Sequence, residues 1–196
     1  MNITHQAVSA ILMVVILILL VGVAYPFAIT GIAQVLFPDQ ANGSLIRDKQ
    51  GTVIGSSLIG QNFEAPQYFH PRPSAAGPNG YDATNSGGSN LGPTNQKLID
   101  SVSERAAAYR QENGLAPDAA VPVDAVTTSG SGLDPEISPA NALLQVSRVA
   151  KARGLAEADV RKLVDSHTKG PTLGIFGEPR VNVLELNLAL DQGAQR

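Results

Sequence analysis

The organisation of this chain is decided by one apolar stretch, Ala10-Ile-Leu-Met-Val-Val-Ile-Leu-Ile-Leu-Leu-Val-Gly-Val-Ala-Tyr-Pro-Phe-Ala-Ile29. It contains no charged side chain, and the first charged residue of the whole sequence is Asp39. About 20 apolar residues in an α-helix are enough to cross a hydrocarbon core about 30 Å thick. The sequence therefore predicts an N-terminal tail and a single membrane-spanning helix within residues 1–38, with the span at about 8–30.

A cleaved signal peptide and a buried core helix are the alternatives to a retained span. A signal peptide has a basic n-region, whereas residues 1–7 contain neither Lys nor Arg. Gly22-Val-Ala24 resembles a cleavage site, but cutting there would leave the apolar segment 25–37 at a new N-terminus. We therefore predict a retained helix. The charges that flank it only slightly favour a body outside the cytoplasm.

The part of the chain after the span, residues 39–196, is long enough for one domain with a hydrophobic core. Its patterns mix helix and strand periods, so we expect a mixed α/β domain anchored by the single N-terminal helix. The predicted elements, in chain order, are a hairpin over 44–55, a helix over about 94–113, a strand over 121–128, a helix over 139–153, a further helix after 154, and over 181–190 a short strand that passes into a helix.

The stretch 66–93 has the composition of a long loop. It contains five Pro and five Gly but only two charged residues, Arg72 and Asp82. No apolar residue recurs there at a helix or strand period, and loops of this length in compact domains are usually functional or disordered. Since the loop is polar and nearly uncharged, we expect it to form a partner surface. Packing against its own domain is the alternative.

The sequence lacks the motifs of common ATP-dependent and hydrolytic enzymes. It has no Gly-x-x-x-x-Gly-Lys-Ser/Thr phosphate loop, no Asp-Lys-Thr-Gly phosphorylation motif and no Gly-x-Ser-x-Gly nucleophile elbow. Without cysteine and with three scattered histidines we expect no metal site, and His167 is predicted to cap a helix end. A net charge of −3 without a basic patch argues against nucleic-acid binding.

Two clusters of small residues, 85–92 and 127–132, combine glycines with hydroxyl and amide groups. Such loops can direct backbone N–H groups toward an anion. The alternative is a pair of tight turns that use the positive φ open to glycine. Beside the second cluster, Asn141, Gln145 and Arg148 form a polar stripe on the helix predicted over 139–153. A solvated helix face is the alternative explanation of that stripe.

Four stretches of this sequence are distinctive as motifs. They are Tyr68-Phe-His-Pro-Arg-Pro-Ser74, Asn85-Ser-Gly-Gly-Ser-Asn-Leu-Gly-Pro93, Asp124-Ala-Val-Thr-Thr-Ser-Gly-Ser-Gly-Leu-Asp-Pro135 and Gly177-Glu-Pro-Arg-Val-Asn-Val-Leu-Glu-Leu-Asn-Leu-Ala-Leu190. In wording and in order, behind one N-terminal span, they closely resemble the C subunit of the Kdp-type potassium-transporting P-type ATPases. The resemblance covers nearly the whole chain.

The resemblance implies a subunit of a bacterial inner-membrane complex for high-affinity potassium import. Its partners would be a channel-like potassium-binding subunit and a separate P-type subunit that hydrolyses ATP. The C subunit of that family is a small single-pass accessory protein that has no catalytic site of its own and is needed for assembly and activity. The resemblance further implies a soluble domain outside the cytoplasm, in the periplasm, and no tightly bound cofactor.

The family is also described as a catalytic chaperone that raises the ATP affinity of the pump subunit through a shared complex. Carried over to this chain, the resemblance implies that ATP is contacted by Gln145, Ser129, Gly130, Ser131 and Gly132. A domain outside the cytoplasm could not reach cytoplasmic ATP, so the membrane topology separates this mechanism from its alternative.

The alternative is a purely structural cap or gating subunit that binds no nucleotide and sits on the channel-like subunit. The residues expected at that interface lie in the 66–93 loop, and they are Tyr68, Phe69, His70 and Arg72. A membrane-anchored hydrolase is a third class of function, but the sequence offers no catalytic constellation for it.

Overall fold

The computed structural model describes residues 2–193. It contains two compact units, and the boundary between them in the sequence falls between Ile54 and Gly55. The N-terminal unit contains a long apolar helix and most of a short hairpin, and the larger unit mixes helices with short strands. The predicted fold class, a mixed α/β domain behind one N-terminal apolar helix, is confirmed.

The N-terminal helix extends from Ile3 to Leu36, with a mean hydropathy of 3.1 over its most apolar window. It consists of α1 (Ile3–Leu17), a π-helical segment (Ile18–Ala24) and α2 (Tyr25–Leu36). The widened π turns precede Pro26, whose ring nitrogen cannot donate to the helical ladder. Within residues 2–193 this is the one helix that is long and apolar enough to cross a membrane, and none of its side chains is buried.

A short helix, α3 (Pro38–Ala41), leads into the predicted hairpin, which is formed by β1 (Leu45–Arg47) and β2 (Val53–Ser56). The turn is held by Asp48, whose carboxylate accepts from the backbone N–H groups of Gln50 and Thr52 at 2.9 and 2.8 Å. Because both strands are short, the hydrogen bonds of the turn provide much of what holds the hairpin together.

The larger unit has neither helix nor strand between Ser56 and Gln96. Its elements are α4 (Gln96–Glu112), α5 (Val123–Val126), β3 (Glu136–Ile137), α6 (Pro139–Arg153), α7 (Glu157–His167), β4 (Thr168–Lys169), β5 (Arg180–Asn182) and α8 (Val183–Gly193). The three strands form an antiparallel sheet in the order β3-β5-β4, in which Val181 of β5 pairs with Ile137 on one side and Thr168 on the other.

The hydrophobic core lies where α7 packs against α6 and α8, and where all three helices pack against β5. Most of its members are small or branched aliphatic residues, and the full set is Phe69, Ile137, Ala142, Val146, Val149, Ala150, Val160, Val164, Val181, Val183, Leu186 and Leu190. Its one aromatic ring, that of Phe69, comes from the long irregular segment and not from a helix. The loop is therefore part of what fills the core.

The ends of α6 agree with those predicted from local capping residues. Ser138 accepts from the N–H of Asn141 at 3.1 Å as the N-cap of α6, Pro139 is the first helical residue, and Gly154 ends the helix at φ +66°. The structure confirms the three helices predicted over 94–113, over 139–153 and after 154. It also confirms the short strand that passes into a helix near Asn182.

The strand predicted over 121–128 is wrong. The structure has the short helix α5 there, and the N–H groups of Ala125 and Thr127 donate to Pro122 and Val123 within the same segment. A β-branched run forms a strand only beside another strand. Asp124 instead accepts from the N–H and the hydroxyl of Ser138, which ties α5 to the start of α6.

Candidate functional site

Six of the nine site residues predicted from the sequence line two cavities of the larger unit, whereas Tyr68, Phe69 and Gly132 line neither. The histidine cavity, of about 560 Å³, includes His70, Arg72, Tyr109, Glu112 and Gln145 in its wall. The serine cavity, of about 630 Å³, includes Arg72, Ser129, Gly130, Ser131 and Asp134. Gln145 and the Ser129–Gly132 turn are thus not brought into one cavity, and Arg72 lines both.

The backbone of residues 66–70, here called the clamped segment, is held by side chains of α6 and α8. The segment belongs to no strand, yet each of its five carbonyl oxygens accepts a hydrogen bond from a side chain. The donors are Arg148 to Pro66 and Tyr68 (2.7 and 2.9 Å), Arg153 to Gln67 (2.7 Å), Asn187 to Phe69 (2.9 Å) and Gln145 to His70 (3.1 Å). Helix side chains therefore replace a neighbouring strand.

Two buried amides bind this segment at two points each. Gln145 accepts from the N–H of His70 at 2.7 Å while its Nε2 donates to the carbonyl of the same residue. Asn187 does the same with Phe69, at 2.8 and 2.9 Å. A facing residue on an antiparallel strand would make this same pair of bonds. Gln145 is consequently a positioning residue for the clamped segment.

The remaining hydrogen-bonding capacity of Gln145 is also used inside the protein. Its Nε2 donates to Asn141 Oδ1 at 2.9 Å, and its Oε1 accepts from Arg148 Nη2 at 2.7 Å. Gln145 and Asn141 are each 1% exposed. The solvated-face explanation of the polar stripe on α6 is therefore wrong, because the stripe packs against the clamped segment and α4.

Of the four residues expected at a partner interface, Phe69 is fully buried in the core. Tyr68 is half-buried: its hydroxyl donates to Asp191 at 3.2 Å, and the Arg153 guanidinium lies 4.9 Å from its ring centroid. His70 and Arg72 are also partly exposed, at the walls of the cavities. Phe69 offers no surface to a partner in this structure, whereas the other three do.

A charged group links the clamped segment to α4. Nδ1 of His70 lies 2.8 Å from Oε1 of Glu112, and Nε of Arg148 lies 3.7 Å from the same oxygen. The hydrogen bond from His70, together with the nearby Arg148 guanidinium, holds the pKa of Glu112 below its ordinary value. Burial lowers the pKa of Arg148, and Glu112 opposes that shift. Glu112 is therefore an anionic anchor at neutral pH.

The Ser129–Gly132 turn is engaged with its own domain. The N–H of Gly132 donates to Ser129 Oγ at 2.9 Å, and the N–H of Gly87 donates to the carbonyl of Ser131 at 2.8 Å. Gly132 has φ +68°, and a Cβ there would lie 2.6 Å from the carbonyl oxygen of Gly87. The two small-residue clusters thus pack backbone to backbone, and the positive φ of the tight-turn alternative is found in one of their glycines, Gly132.

Arg72 carries the most distinctive electrostatic feature of the two cavities. Its Nη1 donates to Asp134 at 2.9 Å and its Nη2 to the carbonyl of Thr128 at 3.4 Å. Its Nε is buried without a hydrogen-bond partner among the described residues. The same range of the chain, 2–193, contains no group of three or more His, Cys, Asp or Glu placed to hold a metal ion.

Sequence reasoning missed the buried amide of Asn187 and the roles of Arg148 and Arg153 as backbone donors. A signal for Asn187 was present, because it falls at helical spacing among Val183, Leu186 and Leu190, which are all buried. A polar residue inside such an apolar stripe is expected to have a buried partner. Arg148 was noted only as a member of the polar stripe on its helix, and Arg153 gave no signal.

Comparison with known proteins agrees with the motifs. Residues 7–192 match the family described as KdpC, the K+-transporting ATPase c chain. The chain belongs to the KdpC family. It is 62% identical over 172 residues to the potassium-transporting ATPase KdpC subunit of Caulobacter vibrioides, covering 88% of this chain and 85% of that protein. It is 56% identical over 188 residues to the protein of the same name from Mycobacterium tuberculosis, covering 96% and 98%. The resemblance seen in the four motifs is confirmed.

Replacing Gln145 by Ala should destabilise the larger unit. The change leaves the backbone N–H and carbonyl of His70 without their partner, at a cost of about 1–3 kcal/mol. Urea unfolding of the detergent-solubilised full chain, followed by far-UV circular dichroism, measures this loss. Ser147→Ala, at an exposed position of the same helix, is the matched control. Equal unfolding midpoints for the two variants would contradict the clamp.

The Ser129–Gly132 turn offers a second matched pair. Gly132→Ala should cost about 1–3 kcal/mol, since the methyl group meets the Gly87 carbonyl and the backbone has a positive φ. Gly130→Ala should change stability by less than about 0.5 kcal/mol, because a Cβ there meets nothing within 4 Å. The same unfolding assay compares them, and a larger loss at Gly130 would refute the packing described here.

Proposed function

We propose that this chain is a membrane-anchored, non-catalytic accessory subunit of an ATP-driven potassium importer, and that its main role is assembly and stabilisation of the complex. Membership of the KdpC family supports the potassium-transport context. The observation that carries the docking role is the N-terminal helix Ile3–Leu36, which contains the charge-free apolar run 10–29 and has no buried side chain.

The length of this helix favours contact with other membrane proteins. At 1.5 Å per residue, its 34 residues measure about 51 Å. The apolar run 10–29 is by itself long enough for a hydrocarbon core about 30 Å thick, so the exposed apolar side chains of Ile32, Val35 and Leu36 would lie beyond that core. Partner helices would cover the apolar surface that the bilayer leaves over. The helix then acts as a docking element and not only as a tether.

The division of labour within the complex follows from this arrangement. One spanning helix encloses no pore, so a channel-like partner would carry the potassium ion. An ATP-hydrolysing P-type partner would supply the energy, since this sequence has no phosphorylation motif. We place the complex in the bacterial inner membrane, with the larger unit of this chain in the periplasm. There it would act as a cap on the channel-like subunit.

A helix exchange tests the docking role. Residues 3–36 are replaced by an unrelated single-span helix of equal length and hydropathy, which preserves membrane insertion and the attached domain. We expect tagged full-length chain to recover both partner subunits from detergent-solubilised membranes, and the exchanged chain to recover at least about tenfold less of them. Growth at low potassium concentration should fall in parallel. Full recovery and growth with the exchanged helix would reduce the segment to a tether.

Nucleotide binding with an effect on the ATP affinity of the pump subunit is the second candidate. The observation in its favour is Arg72, which has an unsatisfied Nε and lies in the wall of the serine cavity beside Ser129 and Ser131. A guanidinium group beside hydroxyl groups suits a phosphate. Gln145 argues against nucleotide binding, because its amide is engaged in hydrogen bonds within the protein and it lines the histidine cavity instead of the serine cavity.

Membrane topology separates the two candidates. The chain has no cysteine, so single-cysteine variants report accessibility without background. We expect Ser103→Cys, exposed on α4, to react with a membrane-impermeant maleimide in intact spheroplasts, and Thr4→Cys to react only after permeabilisation. The opposite pattern would place the larger unit beside cytoplasmic ATP. Saturable ATP binding by the full chain, weakened by Arg72→Gln, would then support the second candidate.

A further inference from the structure

A small apolar hairpin tip, residues 172–176, is the most exposed hydrophobic feature of the larger unit. Its side chains Leu173, Ile175 and Phe176 are 85%, 76% and 62% exposed. Large apolar groups clustered on a soluble surface mark interaction sites more often than isolated ones do. Neither cavity includes this tip in its wall, so it is separate from the sites described above.

The backbone of the tip is ordered by its own hydrogen bonds. Thr172 and Phe176 exchange both backbone bonds, at 2.8 and 3.0 Å, and the N–H of Gly174 donates to the carbonyl of Pro171 at 3.0 Å. Leu173 has φ +55°, a left-handed conformation that leucine rarely adopts. The protein therefore holds a large apolar side chain outward in an unfavourable backbone geometry, which is typical of a functional contact.

Charges around the tip indicate the class of its partner. Lys169 and Arg180, at its base, are paired with Glu185 and Glu136 at 2.8 and 2.9 Å. Glu178 follows the tip and is exposed. Loops that bind anionic bilayers combine apolar tips with free cations. At this tip both cations are paired with glutamates, and Glu178 adds a negative charge. These charges disfavour binding to an anionic lipid surface and favour binding to a protein.

We propose that the 172–176 tip inserts into an apolar, uncharged or weakly basic pocket on the extramembrane surface of another subunit of the same complex. This inference rests on the proposed function. Three side chains are far fewer than the 20–30 residues that each partner contributes to a stable interface, so the tip cannot hold a partner from solution. The membrane helix removes that requirement, because a tethered contact benefits from an effective concentration in the millimolar range.

Photocrosslinking in the assembled complex tests the proposal. The residue p-benzoyl-phenylalanine is placed at Ile175 in the full chain, co-expressed with its partner subunits, and membranes are irradiated. We expect a covalent product with another subunit, identified by mass spectrometry. The control position is Val123, which is 72% exposed on α5. We expect at least about tenfold less product there. Equal yields, or products only with lipid or a second copy of this chain, would overturn the proposal.

A substitution experiment supplies an independent result. The triple variant Leu173→Ser, Ile175→Ser, Phe176→Ser should lower recovery of the partner subunits by about tenfold or more, whereas Val123→Ser should not. The thermal unfolding midpoint should stay unchanged, because these side chains pack against no core residue. If the helix exchange abolishes recovery but the triple variant does not, the tip proposal fails and the proposed function stands. If neither change lowers recovery, both fail.

Discussion

The larger unit depends on one constraint: the clamped segment must find partners for five consecutive carbonyl groups without joining a sheet. Each buried carbonyl left without a partner would cost about 1–3 kcal/mol. The carbonyl of Phe69 is buried and those of Tyr68 and His70 are partly buried, so losing several of these partners would remove a large share of the 5–15 kcal/mol that stabilises a typical domain. Two arginines of α6 and two buried amides meet this demand, and they thereby place Phe69 in the core. The long irregular segment and the helices are one structure.

How far the sequence predicted this fold depended on whether the deciding interactions were local. The ends of α6 follow from Ser138, Pro139 and Gly154, which act within one turn of the helix. The 121–128 strand failed because a strand needs a neighbour that local propensity does not supply. The burial of Gln145 was unpredictable for a related reason: its partner, the backbone of His70, is 75 residues away.

The candidate site also shows the difference between what the sequence predicted and what depends on contacts distant in sequence. The resemblance identified the family correctly and drew attention to Gln145 and the Ser129–Gly132 turn. The structure gives both a role inside the domain, the first as a backbone clamp and the second as a tight turn packed on Gly87. Loss of function on changing either one is therefore ambiguous unless stability is measured as well. Arg72 is more informative, because its Nε has no partner among residues 2–193.

The proposed helix and tip contacts would have different energetics, which bears on how an accessory subunit could take part in transport. A 34-residue helix covered by partner helices would form an extensive contact that does not exchange readily. The tip offers three side chains, so on its own it would engage and release easily. A subunit held by the first contact can briefly release the second and bind it again, since tethering keeps the local concentration high, whereas permanent loss of the tip contact would weaken the whole complex. Such a division lets one chain stabilise an assembly and still respond to conformational changes in its partner.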